Sequence, residues 1–246
     1  MQVAPKPQSR SASTTVAWWW LVAVSGLILV LVGGTLFAWW AFTRETVNTS
    51  YRVLGDVAGI RLDLGAADVE IDGGATAIEI RQTDKFAFGQ PSSETHTVES
   101  GMLNVVSRCP DQVLGACRAS FHVSVPDNVP LDIETSSGTV TLSGVRASVQ
   151  ISTGSGAITA TNFCGFAFTA TSDSGDVNVR SECSADRLEA RSGSGDVHVT
   201  VPPGRYSVDT QSDTGEVRTR GLDNVDDAGF QIQAQSGSGD VAVETS

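Results

Sequence analysis

Four acids stand one residue after a glycine in a recurring phrase: Asp176, Asp196, Glu216 and Asp240, following Gly175, Gly195, Gly215 and Gly239. Carboxylates repeated in this way can be stacked into a line, and such a line is the raw material of a calcium site. Calcium-binding β-rolls, however, use a nonapeptide repeat whose Asp stands two after its Gly, and neither that period nor that spacing is present. The four acids are therefore calcium candidates only, and no metal is assigned. Their expected work is to cap turn amides and keep one edge soluble, at a mutual repulsion on the order of 1 kcal/mol per neighbour in water.

Other chemistries have less support. His96, His122 and His198 are scattered, and His198 alternates outward between Val197 and Val199. The many serines form no Gly-x-Ser-x-Gly elbow, and no nucleophile is paired with a base at a recognisable spacing. Arg180, Arg191, Arg218 and Arg220 fall at differing repeat phases, which weakens a polysaccharide-cleaving site on one sheet. The Gly-Ser-Gly-Asp stretches lack the Lys and the following helix of a phosphate loop. The sequence thus implies no catalytic residue and no cofactor.

The elements that carry these residues repeat. The phrase is centred on Gly138, Gly156, Gly175, Gly195, Gly215 and Gly239, with Ser or Thr one and three residues before each Gly. Internal repetition of this kind outranks other fold signals. Before each Gly lies a short alternating strand (Leu131 and Ile133, Val149 and Ile151, Leu188 and Ala190), and after it another (Val140 and Leu142, Val177 and Val179, Val241 and Val243). Each strand has one apolar face. Small hydroxyls suit a tight bend and can satisfy its backbone, and Gly is expected to supply an unusual dihedral there.

The interval across the turn is constant, whereas the spacing from Gly to Gly runs from 18 to 24 residues. A fixed arc with an elastic return is solenoid behaviour. A weaker copy, Ile60 and Leu62 leading to Val69 and Ile71, precedes the six, and residues 74–130 alternate less regularly as further strands of the same body. Antiparallel hairpins are the competing topology, because Gly-Asp is also hairpin chemistry.

The cysteines favour the solenoid. Cys164 and Cys183 each lie eight residues after their repeat glycine. In stacked coils such positions are about 4.8 Å apart, within disulfide reach, while in hairpins they are two strands apart. Cys164 is expected to pair with Cys183, and Cys109 with Cys117 around a small loop. Disulfides imply an oxidising compartment.

From Val16 to Phe42 the chain is almost wholly apolar, enough to cross a hydrocarbon core of about 30 Å as one helix. Trp18, Trp19 and Trp20 flank one end and Trp39 and Trp40 the other, as interfacial anchors do. The stretch is longer than a signal-peptide core and offers no convincing small-x-small cleavage site. Lys6 and Arg10 precede it, and every Asp and Glu follows it. The positive-inside tendency then places the N-terminus in the cytoplasm and the C-terminal domain outside, in the plasma membrane. The formal net charge of −12 makes nucleic acid and anionic lipid poor partners.

The tandem Ser-Gly-Asp-Val copies, the Val123-Ser124-Val125-Pro126 strand end before Leu131-Asp132-Ile133, and the preceding apolar segment together resemble the bacterial candidate-adhesin domain family of unknown function, over about residues 55–246. The resemblance implies a β-solenoid-like, surface-located, non-enzymatic domain. The expected organisation is a cytoplasmic tail (1–15), a transmembrane helix (16–43), a linker (44–58), an irregular first part of the β domain (59–130) and regular solenoid repeats (131–246). The expected fold class is all-β: a β-solenoid of short two-stranded coils behind a single transmembrane helix. The expected function is adhesin-like binding or scaffolding toward an envelope or protein partner. An envelope-stress or signalling accessory acting through a membrane partner is the alternative, and a polysaccharide-active enzyme a third reading. Because the chain stops just after Val243, a homo-oligomer through that terminal coil is also expected to be open, unless Asp240 and Glu244 blunt the edge.

Overall fold

The computed structural model describes residues 14–42, 44–55, 57–87, 92–109 and 116–246. It divides into two compact units, Met1–Arg44 and Glu45–Ser246. The first holds one helix, α1 (Thr14–Phe42), apolar around its whole circumference. Its Val22–Trp39 stretch is long and apolar enough to cross a membrane, and none of that stretch is buried by protein. A helix without a polar stripe has no solvated face. Of the expected tail, all but Thr14 and Thr15 lies outside the described residues, as do the side chains of Trp18, Trp19 and Trp40.

The β structure begins with β1 (Arg44–Val53), β2 (Gly59–Asp72), β3 (Ile78–Ala87), β4 (Ser93–Glu99), β5 (Met102–Arg108) and β6 (Ala116–Ser124). The repeats follow as pairs: β7 (Leu131–Ser137) and β8 (Val140–Ser143), β9 (Val149–Thr153) and β10 (Ile158–Phe163), β11 (Ala167–Ser172) and β12 (Val177–Ser181), β13 (Arg187–Ser192) and β14 (Val197–Val201). The last are β15 (Arg205–Ser212) and β16 (Val217–Arg220), the short β17 (Asp223–Asn224), then β18 (Gln231–Ser236) and β19 (Val241–Thr245). Residues 44–53, expected within a linker, are thus a strand, and β1 pairs with β3.

Within each repeat the first strand joins one sheet and the second joins the other, so the chain coils between two parallel sheets. Equivalent residues fall in register. Val140, Ile158 and Val177 are successive partners in one sheet, and Leu131, Val149, Phe168 and Leu188 in the other. The strands alternate because only every second side chain enters the core. The column Val69, Val140, Ile158, Val177, Val197, Val241 is at most 2% exposed. At about 1.5–3 kcal/mol per fully buried Val or Leu, these columns hold the coils together. Phe163 and Phe168 meet edge-on, centroids 5.0 Å apart, and fill volume left by Ala160 and Ala170 inside the same core.

The order of coils in space differs from their order in sequence at both ends. β2 bends through both sheets and lies between β5 with β6 on one side and β7 with β8 on the other. Beyond β5 and β6 the pairing becomes antiparallel, with β4 on β5 and β3 on β6. At the far end β18 and β19 insert between β13 with β14 and β15 with β16. The long return between β16 and β18 makes this possible: it pairs β17 along the outer edge of β15 and then steps back over the coil.

The C-terminal coil is therefore hydrogen-bonded on both edges, so the free edge on which the expected homo-oligomer rested is not there. The outermost coil is β15 with β16. There Val217 is 44% exposed, and Thr210 and Thr219 stand where the coil beneath has Ala234 and Val243. Polar residues at core positions are the mark of a capping repeat.

Candidate functional site

The turn corner is the most uniform feature of the molecule. Gly195 N–H donates to Ser192 Oγ at 2.7 Å, and the Ser192 hydroxyl donates to the Gly175 carbonyl of the coil beneath at 2.9 Å. The same pair of bonds recurs at Ser172 with Gly175 and Gly156, Ser236 with Gly239 and Gly195, and Ser212 with Gly215 and Gly239. Each hydroxyl thus satisfies one amide of its own turn and one carbonyl of its neighbour, stitching successive bends into a column.

The glycines have a different reason from the one expected. Of the six, only Gly138 has a positive φ, at 122°. At the others, as at Gly138, an added Cβ would lie well under 3.0 Å from the backbone of the adjacent coil, for example Gly175 against the Gly156 carbonyl and Gly239 against that of Gly195. Glycine is required because coils approach within backbone contact, not chiefly because the turn needs a left-handed residue.

The acids beside these glycines lie in line. Asp176 Oδ1 accepts Asp196 N–H at 2.9 Å, Asp196 Oδ1 accepts Asp240 N–H at 2.8 Å, and Asp240 Oδ1 accepts Glu216 N–H at 2.9 Å. The order 176, 196, 240, 216 follows the spatial order of the coils. Asp68 does the same for Thr139 N–H at 3.0 Å, a member of the ladder that its weaker repeat concealed. Each of these Asp carboxylates is thus committed to a neighbouring amide, as a turn cap is, whereas the Glu216 carboxylate at the end of the ladder pairs with Arg218.

Cys164 and Cys183 form a disulfide between adjacent coils, Cα atoms 4.9 Å apart. Cys109 is disulfide-bonded; the side chain of Cys117 and the loop 110–115 lie outside the described residues.

Outward side chains form registered columns on two flat faces. On one face Glu70, Thr141, Thr159, Asn178 and His198 succeed one another across five strands. On the other run Arg61, Asp132, Gln150, Thr169 and Glu189. The faces also carry ion pairs, such as Arg61 with Asp132 at 2.6 Å and His198 with Glu244 at 3.1 Å.

Three groupings were not legible as such in the sequence. His122 on β6 lies between two carboxylates of β2, with Nδ1 3.3 Å from Glu70 and Nε2 3.4 Å from Asp72. The parity of Glu70, Asp72 and His122 marks all three as outward, but nothing in the chain shows that β6 pairs with β2. Gln82, Asp84 and Ser92 form a buried polar cluster in the antiparallel layer, where Gln82 and Ser92 each donate to Asp84 at 2.8 and 2.7 Å. Tyr51 donates to Glu94 and stacks on His96, centroids 4.6 Å apart. Burial, together with the hydrogen bond to Glu94, pushes the Tyr51 phenol well above its usual range.

Residues 118–244, just over half of the chain, match the family model described as Toastrack DUF4097. No curated protein matches the sequence. Among solved structures, a candidate cell adhesion protein from Clostridium sporogenes aligns with a TM-score of 0.50 at 11% identity, over 82% of this chain and 100% of that one. A candidate adhesin from Bacteroides fragilis aligns at 0.45 and 10%, over 82% and 97%. A candidate lipid-binding protein from Parabacteroides distasonis aligns at 0.34 and 9%, over 81% and 96%. At such identities the likeness is one of fold.

Proposed function

The chain belongs to the Toastrack DUF4097 family, and from that membership we propose that it is a membrane-anchored, extracellular binding or scaffold module, adhesin-like and without catalytic work of its own. The observation that supports this reading most is the pair of flat faces. A stack of short strands fixes each outward residue on a rigid, periodic lattice about 4.8 Å per coil, and polar groups in the middle coils such as Thr159, Asn178, Gln150 and Thr169 hold no side-chain hydrogen bond among the described residues. Such rows can meet an extended partner along many points at little ordering cost.

The apolar helix α1 supports the anchor, and the Cys164 to Cys183 disulfide supports an oxidising exterior. We place the N-terminal tail in the cytoplasm from Lys6 and Arg10. The structural relatives named for adhesion fit a contact role, and the partner on this reading is another envelope component or protein.

The test is protease shaving of intact cells expressing the full chain, combined with fractionation. A membrane-bound chain whose C-terminal unit is cleaved from outside supports the proposal. Release of a chain lacking residues 1–43 into the medium means that α1 is a cleaved leader, and protection of the C-terminal unit in intact cells reverses the topology. Binding of envelope fractions to the detergent-purified chain, weakened by Thr159→Glu with Asn178→Glu, tests the face itself.

A further inference from the structure

We propose that Glu70, Asp72 and His122 form a binding site for one divalent transition-metal ion of the zinc class. The three residues project from adjacent strands of the same sheet. Glu70 and His122 are direct cross-strand partners, and Asp72 follows Glu70 by two positions on the same face. Each can offer one ligand atom, and these atoms all lie within 4.8 Å of one another. Among the described residues, no other group of three His, Cys, Asp or Glu side chains converges in this way.

The separations suit an ion. Zinc holds nitrogen and oxygen ligands at about 2.0–2.2 Å in a tetrahedron, which sets its donor atoms about 3.4 Å apart. The two carboxylates face different imidazole nitrogens, Nδ1 3.3 Å from Glu70 and Nε2 3.4 Å from Asp72, so one carboxylate must swing round the ring to share an ion with the other, a movement within reach because one ligand atom of each residue already lies within 4.8 Å of the others. The strands beneath are rigid: Val69, Ile71, Phe121 and Val123, the inward neighbours of the three ligands, are all buried. The backbone frame is therefore ordered before any ion arrives.

The donor set chooses the metal. An imidazole with two carboxylates is a borderline set that favours zinc and its neighbours, whereas calcium takes six to eight oxygens. Local charge is favourable too, since Asp68, Glu70, Asp72 and Glu79 outnumber Arg52 and Arg81 around the site in a chain of net charge −12. Three protein ligands leave a coordination position open. Glu70 and His122 line a surface groove together with Arg81, Thr83, Ser120 and Thr141. This site is separate from the acid ladder at the turns, whose Asp carboxylates accept backbone amides and whose Glu216 pairs with Arg218.

The test is titration of the tag-free, chelator-treated full chain in detergent with Zn²⁺ alone, followed by calorimetry. One equivalent is expected to bind. His122→Ala is expected to weaken it by more than the ~10–100-fold that outer-shell changes produce, and Glu70→Gln with Asp72→Asn likewise. All three side chains lie on the outward face, so the variants should keep the parent's thermal transition, and that measurement separates lost ligation from lost folding. His198→Ala, in the two-donor pair with Glu244, should leave the titration unchanged. No uptake by the parent at about 1 mM Zn²⁺, uptake that survives His122→Ala in a folded variant, or uptake lost only in His198→Ala overturns the proposal.

Discussion

At the scale of the residue, the corner column decides stability. Gly195→Ala forces a methyl into the Gly175 carbonyl of the next coil, where neither backbone can retreat, and is expected to destabilise by about 3 kcal/mol or more. Gly229, with open space around its Cβ position, should tolerate Ala within about 0.5 kcal/mol. Chemical denaturation of the pair reads both. Ser192→Ala leaves the Gly195 amide and the Gly175 carbonyl unpaired, and a loss of about 1–3 kcal/mol is expected. The acid ladder gives a contrasting result. Asp196→Asn keeps an oxygen acceptor for Asp240 N–H, so its midpoint should shift by less than about 1 kcal/mol, and added Ca²⁺ should move neither variant nor parent. The serines and glycines were legible from their spacing, but the reason for glycine was not: a close approach between coils leaves no mark that distinguishes it from a turn that needs a positive φ.

At the scale of the element, the two-strand arc was readable because burial imposes strict alternation on each side of the turn, as at Leu131 and Ile133 before Gly138 and Val140 and Leu142 after it. The pairing of Cys164 with Cys183 followed from equal offsets, and it fastens two neighbouring arcs. Replacing both by Ser opens a loop with a sequence separation of 19 and should lower stability by about 2–4 kcal/mol, measured beside the reduced parent. Strand order was not readable. Apart from Thr210 and Thr219, polar where the other copies are apolar, the copies present the same apolar pattern, so Leu188 can stack as well on Val208 as on Ile232. The antiparallel layer was hidden likewise: β3 sets Ile78 and Ile80 inward as a parallel strand would, and β4 is exposed at every position but Glu94, so neither marks its own direction. Residues 44–53 are polar on the whole and lie beside an apolar helix, which disguised β1 as a spacer. The His122 cluster was lost for the same reason as the strand order: His122 lies 52 residues after Glu70 and 50 after Asp72, and they meet only through the transposed pairing of β2 with β6.

At the scale of the whole molecule, the β unit is a registered lattice closed at one end by an antiparallel layer and at the other by a coil carrying Thr210 and Thr219 at core positions. Both devices lower the tendency of an open stack to add further strands. Unfolding should accordingly begin at β16, exposed along its whole length, and at β15, where Val208, Thr210 and Ser212 are only half-buried, and hydrogen exchange should find their amides less protected than those of β9 to β14. The display of outward rows, and with it the binding role, depends on coils lying parallel and in register in the transposed order. Paired cysteine substitution with disulfide mapping by mass spectrometry tests this most directly. Glu189→Cys with Gln233→Cys joins residues that are adjacent partners, and this pair is predicted to cross-link; Glu189→Cys with Asp209→Cys joins coils adjacent in sequence but separated by a layer, about 10 Å apart, and is predicted to stay open. Cross-linking of 189 with 209, and not with 233, would contradict the account.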